Sequence, residues 1–101
     1  MLERPFSSAY DPDAARLVLS GSVDELAAPV FRDALAAALS ASPQGLEVDL
    51  SDVDYFPSVA VSVLVGVLGP SAPAPQPELV AAPGTIAQRV LELCGLPHRT
   101  V

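Results

Sequence analysis

The chain has 101 residues, half of them apolar, and 12 acidic residues against five arginines give it a formal net charge of −7. This length predicts one domain with its own hydrophobic core, and the acidic balance argues against a nucleic-acid partner and favours a protein partner with a basic face. No apolar stretch approaches the roughly 20 residues that span a bilayer, and the N-terminus does not lead into a signal-type segment, so we expect a cytoplasmic protein without membrane insertion.

The first part of the chain predicts two strands and a helix. Residues 6–10 and 16–20 are the predicted strands, and the Asp-Pro-Asp sequence between them is typical of a turn. Asp24 stands where its side chain can cap the next helix, and Pro29 is tolerated only in the first turn of that helix. The predicted helix covers 27–41, and its inner face is expected to hold Val30, Phe31, Ala34, Leu35, Ala38 and Leu39.

A buried strand and an apolar helix follow. Residues 46–50 alternate apolar and polar side chains at the period of a strand, and Val53 and Phe56 are expected to return to the core. Residues 58–69 are almost wholly apolar, which predicts a buried helix. Val63 and Val67 are expected on an outward apolar face, of the kind that marks interfaces. The inner face is predicted to hold Val61, Leu64, Val65 and Leu68.

The last third of the chain begins with a proline-rich segment, 70–77, that we interpret as a loop inside the domain. Residues 78–82 predict a fourth strand. Thr85 lies in the cap region of a last helix, 85–94, which ends at Gly95. The lone cysteine of the chain, which we expect inside this helix, excludes an internal disulfide and a cysteine-pair zinc site. The inner face of the helix is predicted to hold Ile86, Val90, Leu93 and Cys94.

This order of strands and helices is typical of an α/β fold, in which right-handed crossovers place helices on a mostly parallel sheet. We expect four or five strands, with residues 6–10 at an edge and 46–50 in the centre, covered by about three helices. A single domain, 1–101, is expected to contain all of these elements.

Three segments of the chain resemble the STAS domain family, the fold of bacterial anti-sigma factor antagonists and of the cytoplasmic tails of sulfate transporters. Residues 21–24, Gly-Ser-Val-Asp, are similar to the family's Gly-Glu-Leu-Asp entry to its first helix. Residues 49–58 resemble its Asp-Leu-Ser-x-Val-x-Phe-Ile-Asp-Ser pattern, and residues 90–96 resemble its Leu-Leu-Glu-Leu-Thr-Gly-Leu ending. The resemblance covers nearly the whole chain.

The resemblance implies a function for Ser58. In antagonists of this family, the serine at this position is phosphorylated by an anti-sigma factor that is also a kinase. The unmodified form binds that kinase and frees the sigma factor. The positive end of a helix dipole would stabilise a phosphate at this position. The residues alone leave a second interpretation open, in which Ser58 caps the helix with its side chain.

The resemblance also implies a partner-binding surface around Ser58. By the family pattern, Asp24 would lie near the phosphorylation loop and contribute to partner contact. The chain departs from the family at this loop, because the Asp-Ser-Ser-Gly of active antagonists is replaced by Pro-Ser-Val-Ala at residues 57–60. The predicted contact residues are Asp24, Asp54, Pro57, Ser58, Val59, Ser62, Val63 and Val67.

No other pattern points to catalysis or to a bound group. Asp49, Asp52 and Asp54 lack the glycine-centred loop and the fourth acidic ligand of a cation site, so we interpret them as a solvated acidic rim. The sequence contains no pattern typical of a nucleophile pair or a phosphate-binding glycine loop. We expect no enzyme activity, no cofactor and no metal.

Two further functions stay open at this point. A non-phosphorylated docking module of a lipid-transport or stress-signalling assembly would use the same surface. A small-ligand sensor would use the crevice beside Ser58. The predicted partner is an anti-sigma factor that resembles a serine kinase, and a weak homodimer is left open.

Overall fold

After an initial pair of strands, helices and strands alternate in the computed structural model, which describes residues 4–68 and 77–100 and the side chains of all of these except Val67 and Leu68. The predicted α/β class is confirmed, and the predicted loop 70–77 lies outside the described residues apart from Pro77. Within the described ranges, no helix has the length and apolar character needed to cross a membrane. The elements are β1 (Ser7–Asp11), β2 (Arg16–Ser22), α1 (Ala28–Ala41), β3 (Glu47–Tyr55), α2 (Ser58–Leu68), β4 (Glu78–Ala81), α3 (Ile86–Leu93) and β5 (Arg99–Thr100).

The strands form one sheet whose spatial order follows the chain, from β1 at one edge to β5 at the other. β1 pairs antiparallel with β2, and every later pair is parallel. The edge position of the first strand and the central position of β3 are as predicted. β3 continues past the predicted end at Leu50 as far as Tyr55, and the two-residue β5 was not predicted.

One face of the sheet carries the hydrophobic core. The strand register places Leu17, Val48 and Leu79 side by side, and each of them is at most 2% exposed. All three helices contribute to the same cluster, so they cover the same face, as right-handed crossovers between neighbouring parallel strands require. The helix residues in this cluster are Phe31, Leu35, Ala38, Ala60, Leu64, Ala87 and Leu91.

In α1 and α2, two side chains that were predicted to point inward lie at the surface. Val30 is 55% exposed, because Ala28 takes the inner face at the start of α1. Val65 is 49% exposed, whereas Val63, which was predicted to point outward, packs against the edge of the core. α2 is apolar on almost every side, so hydrophobic periodicity does not define its inner face. That face is formed by Ala60 and Leu64.

α3 is rotated about its axis relative to the predicted face. Ile86 is 52% exposed and Leu93 is 80% exposed, and Cys94 is an exposed cap residue after the helix instead of part of its inner face. The small Ala87 lets α3 approach the sheet closely, so the i, i+4 pair of Ala87 and Leu91 is buried in place of the bulkier apolar residues.

The face of the sheet opposite the helices carries ion pairs. Arg16 binds Glu47 at 2.8 Å and also binds Asp49. Arg99 binds Glu47 at 2.6 Å. Asp49 is only 9% exposed beneath these groups, so its expected place on a solvated rim is wrong. Burial raises the pKa of Asp49, but hydrogen bonds from Ser51 and Arg16 outweigh it, and the pKa lies below that of an ordinary aspartate.

An N-terminal arm, residues 4–6, crosses the end of β2. The amide of Ser22 donates to the carbonyl of Arg4 at 3.1 Å. Gly21 makes this path possible, because its φ is 82° and a Cβ at this position would lie 2.1 Å from the carbonyl oxygen of Pro5. The arm therefore lies at the carboxyl ends of β2 and β3, next to the turns that follow these two strands.

Candidate functional site

The carboxyl ends of β2 and β3 lie next to each other, because the two strands are parallel neighbours in the sheet. The chain turns into α1 after β2 and into α2 after β3. The amide of Val23 donates to the carbonyl of Tyr55 at 2.9 Å, and this bond ties the two turns together. Asp24 from the first turn and Ser58 from the second consequently line the same cleft.

Ser58 is the first residue of α2, and it is exposed. Pro57 takes the capping position, since its carbonyl accepts the amides of Ala60 at 2.9 Å and Val61 at 3.1 Å. The hydroxyl of Ser58 makes no hydrogen bond with any residue in the described part of the chain. The structure therefore does not use Ser58 as a side-chain cap, which was the second interpretation of this residue.

Asp24 stabilises the turn that leads into α1. Its carboxylate accepts the amide of Ala27 at 2.8 Å, and its carbonyl accepts the amide of Ala28 at 2.9 Å. The N-cap of α1 is Ala27, without a side-chain cap hydrogen bond, so the predicted capping of the helix by Asp24 is not observed and its side chain stabilises the preceding turn instead. The carboxylate is half-buried beside Ser58, and its contact with a partner stays a prediction.

An open cleft of about 440 Å³ surrounds Ser58, and we call it the Ser58 cleft. Two of its lining residues are acidic, and none of the described residues that line it is a cation. Leu26, at 88% exposed, and Tyr55, at 48% exposed, give it an apolar rim. The cleft thus presents an accessible hydroxyl among acidic and apolar groups. Its lining consists of Asp24, Glu25, Leu26, Tyr55, Pro57, Ser58 and Val59.

A second depression, which we call the helix groove, continues from the Ser58 cleft between α1 and α2. It has a volume of about 520 Å³ and shares Glu25 and Val59 with the cleft. Asp54 lines neither depression, and the side chain of Val67 lies outside the described part of the structure. The predicted contact residues that line one or both depressions are Asp24, Pro57, Ser58, Val59, Ser62 and Val63.

Asp54 is paired with Arg4, a residue that the sequence analysis did not single out. The guanidinium of Arg4 donates to the Asp54 carboxylate at 2.6 Å and to the Asp52 carbonyl at 2.7 Å. The hydrogen bond from Arg4 lowers the pKa of Asp54. Arg4 and Asp54 are 50 positions apart in the sequence, and the path of the arm over Gly21 brings them together. No local spacing in the sequence signals this contact.

The three aspartates that were considered for a cation site do not converge. Asp49 binds Arg16 on the helix-free face of the sheet, whereas Asp52 and Asp54 both bind Arg4. Across residues 4–68 and 77–100, no three His, Cys, Asp or Glu residues are grouped as the ligands of a metal ion would be.

Comparisons with known proteins agree with this architecture. Residues 6–97 match the family model described as "Mlab, STAS domain". Among solved structures, an anti-sigma factor antagonist from Mycobacterium paratuberculosis matches with a TM-score of 0.78 and 23% sequence identity, over 99% of this chain and 92% of that one. At this identity the likeness shows a shared fold. No curated protein sequence matches the chain.

Proposed function

This chain belongs to the STAS domain family, and we propose that it is a regulatory protein whose phosphorylation at Ser58 controls the binding of a kinase-like anti-sigma factor. The unmodified chain binds this partner through the Ser58 cleft, and the phosphorylated chain releases it. The fold that it shares with an anti-sigma factor antagonist supports the proposal. In this scheme the chain is a substrate of the kinase and catalyses no reaction itself.

The accessible hydroxyl of Ser58 is the observation that carries the proposal. It lies at the surface in the first turn of α2 and makes no hydrogen bond with the described residues. A kinase can therefore reach the oxygen without breaking an internal contact. Ser62 differs, because its hydroxyl donates to the carbonyl of Ser58 at 3.0 Å. This difference makes Ser62 a matched control for Ser58.

α2 can carry a phosphate at its start without unfolding. The amide of Ala60 is the first in this turn to bond to the chain, through the Pro57 carbonyl, so the amides of Ser58 and Val59 have no helical acceptor. These amides and the positive end of the helix dipole stabilise a negative group. The effect of phosphorylation is therefore expected in binding and not in the stability of the helix.

A phosphate would change how the Ser58 cleft meets a partner. It brings a charge of about −2 next to Asp24 and Glu25. No cation among the described lining residues compensates this charge. A partner that covers the cleft must then desolvate three anionic groups together, which is costly unless the partner supplies compensating charge. We therefore expect phosphorylation to weaken binding.

Incubation with the cognate kinase-like anti-sigma factor and ATP tests the proposal. The kinase transfers the γ-phosphoryl group of ATP to Ser58 Oγ, ADP leaves, and the hydroxyl proton is released. Mass spectrometry should locate a single phosphate on the parent and on Ser62→Ala, and none on Ser58→Ala. A parent that stays unmodified, or a Ser58→Ala variant that still gains phosphate, would show that Ser58 is not the acceptor.

A docking module that is never phosphorylated is the second candidate, and the character of α2 favours it. α2 contains no charged residue. Residues 57–60 also have proline, valine and alanine where active antagonists have an acidic residue, a second serine and a glycine. An uncharged surface of this kind can bind a permanent partner, such as a subunit of a lipid-transport or stress-signalling assembly. Binding of a partner that adds no phosphate would favour this function over the first.

A further inference from the structure

Two stripes of residues with the same helical spacing form the walls of the helix groove. Glu25, Ala28, Pro29 and Arg32 lie on one wall. Their spacing of i, i+3, i+4 and i+7 is that of one face of a helix. The opposite wall repeats this spacing in residues 59–66 of α2. Each stripe is about 10 Å long at 1.5 Å per residue. The second wall consists of Val59, Ser62, Val63 and Gly66.

The surface beside the groove is unusually apolar for one that faces water. α2 carries no charged side chain, yet Val65 is 49% exposed and Gly66 is exposed as well. A helix that is apolar on all sides is normally covered on all sides. An exposed apolar helix face that borders a groove is typical of a surface that binds another protein.

The two ends of the groove differ in charge. Glu25 lies at the end that the groove shares with the Ser58 cleft, and Arg32 lies seven residues further along the same wall. Arg32 forms no ion pair with a described residue, in contrast to Arg4 and Arg16. A carboxylate on a partner is attracted to Arg32 and repelled by the acidic residues at the other end. These charges determine the orientation of a partner in the groove.

We infer that the helix groove binds one amphipathic helix of the kinase-like partner, with its apolar stripe in the groove and an acidic side chain against Arg32. This inference rests on the proposed function and adds to it a second contact, outside the Ser58 cleft. In helix-in-groove recognition the inserted helix supplies apolar anchors at i, i+3, i+4 and i+7, a row about as long as the walls of this groove. A small molecule fits less well, because the groove is open to solvent and does not enclose a ligand.

Gly66 offers a way to fill the groove without disturbing the chain. A Cβ at this position meets no atom within 4 Å, so the side chain of Gly66→Leu starts from an unobstructed position in the groove. Leucine also favours a helix more than glycine does, so the Tm of the variant is expected to equal or exceed that of the parent. The matched control is Ala37→Leu, at an exposed position of α1 that does not line the groove.

Calorimetric titration of the purified kinase-like anti-sigma factor with each variant measures the effect. We expect Gly66→Leu to raise Kd about tenfold or more and Ala37→Leu to leave Kd within about twofold of the parent. Arg32→Glu should raise Kd about tenfold or more, and Arg89→Glu, an equal charge change at an exposed position of α3, should leave it within about twofold.

The outcomes separate this inference from the proposed function. If Gly66→Leu binds like the parent, the groove is not the docking surface, although phosphorylation of Ser58 can still control binding. Equal Kd values for Arg32→Glu and Arg89→Glu would overturn the acidic contact. A parent that does not bind the kinase-like protein at all would contradict the proposed function, and the groove inference would fail with it.

Discussion

Pro57 determines what the Ser58 hydroxyl can do. A proline has no amide hydrogen to satisfy and a fixed φ, and here its carbonyl accepts the amides of Ala60 and Val61. Ser58 therefore occupies the first helical position and not the capping position, so its hydroxyl is not needed to hold the helix. One of the residues that depart from the pattern of active antagonists is thus the one that leaves the serine accessible.

Asp49 is expected to stabilise the fold in a pH-dependent way. Its carboxylate binds Arg16 and accepts the amide of Ser51 at 2.9 Å. Asp49→Asn should lower the free energy of unfolding at pH 7 by about 1–2 kcal/mol, since bonds to an ionised group are lost. Because the pKa of Asp49 is lowered in the folded state, its contribution is present above the unfolded pKa of about 4 and is lost as the pH falls through the folded pKa.

Urea unfolding of the parent and Asp49→Asn at pH 7 and at pH 3 measures this effect. The difference between the two proteins should be smaller at pH 3. Asp33→Asn, at an exposed position of α1, serves as the control and should match the parent at both values. A difference between the parent and Asp49→Asn that does not change with pH would show that the carboxylate does not act through its charge.

The packing of α2 can be tested with two neighbouring residues. Leu64 is fully buried, whereas Val65 is 49% exposed. Leu64→Ala should lower the free energy of unfolding by about 2–4 kcal/mol, because apolar burial is lost and a cavity remains. Val65→Ala should cost less than about 1 kcal/mol, since much of its side chain already contacts water.

Thermal or urea unfolding of both variants provides the comparison. Equal losses for Leu64→Ala and Val65→Ala would mean that α2 packs against the sheet with a different face from the one described. If the unfolding curve of Val65→Ala overlays that of the parent, any change in the affinity of this variant for a partner reflects binding and not stability.

The sequence predicts some elements better than others, for physical reasons. β3 is clear because Leu46, Val48 and Leu50 alternate with polar residues and all three are buried. The inner face of α3 is less clear, because its apolar side chains form one broad stripe that includes Ile86 and Leu93, and the small Ala87 decides which part of that stripe can approach the sheet. β5 has two residues and no apolar pattern, so pairing with β4 alone defines it.

In the candidate site, too, one contact can be predicted from the sequence and another cannot. The proximity of Asp24 and Ser58 follows from parallel neighbouring strands, whose carboxyl ends meet at one edge of the sheet. The pairing of Arg4 with Asp54 depends on how the chain crosses Gly21. A contact between residues that are far apart in sequence and carry no shared pattern needs the folded structure to reveal it.

The two faces of the sheet have different chemistry, and the difference supports the proposed binding surface. On the helix-free face, charged side chains form ion pairs with one another, such as Arg16 with Glu47 and Arg99 with Glu47. The helix face presents the uncharged α2 and the acidic Ser58 cleft at one end. A partner gains more from covering an apolar, acidic surface than from disrupting ion pairs that are already formed.

Control of partner binding by a charge at Ser58 is the main claim of the proposed function, and the affinity of Ser58→Asp for the kinase-like anti-sigma factor measures this control. We expect Kd to rise about tenfold or more for Ser58→Asp, and to stay within about twofold of the parent for Ser58→Ala and for Ser40→Asp, which adds the same charge at an exposed position near the end of α1. A Ser58→Asp variant that binds as tightly as the parent, or a Ser58→Ala variant that loses as much affinity as Ser58→Asp, would contradict the claim.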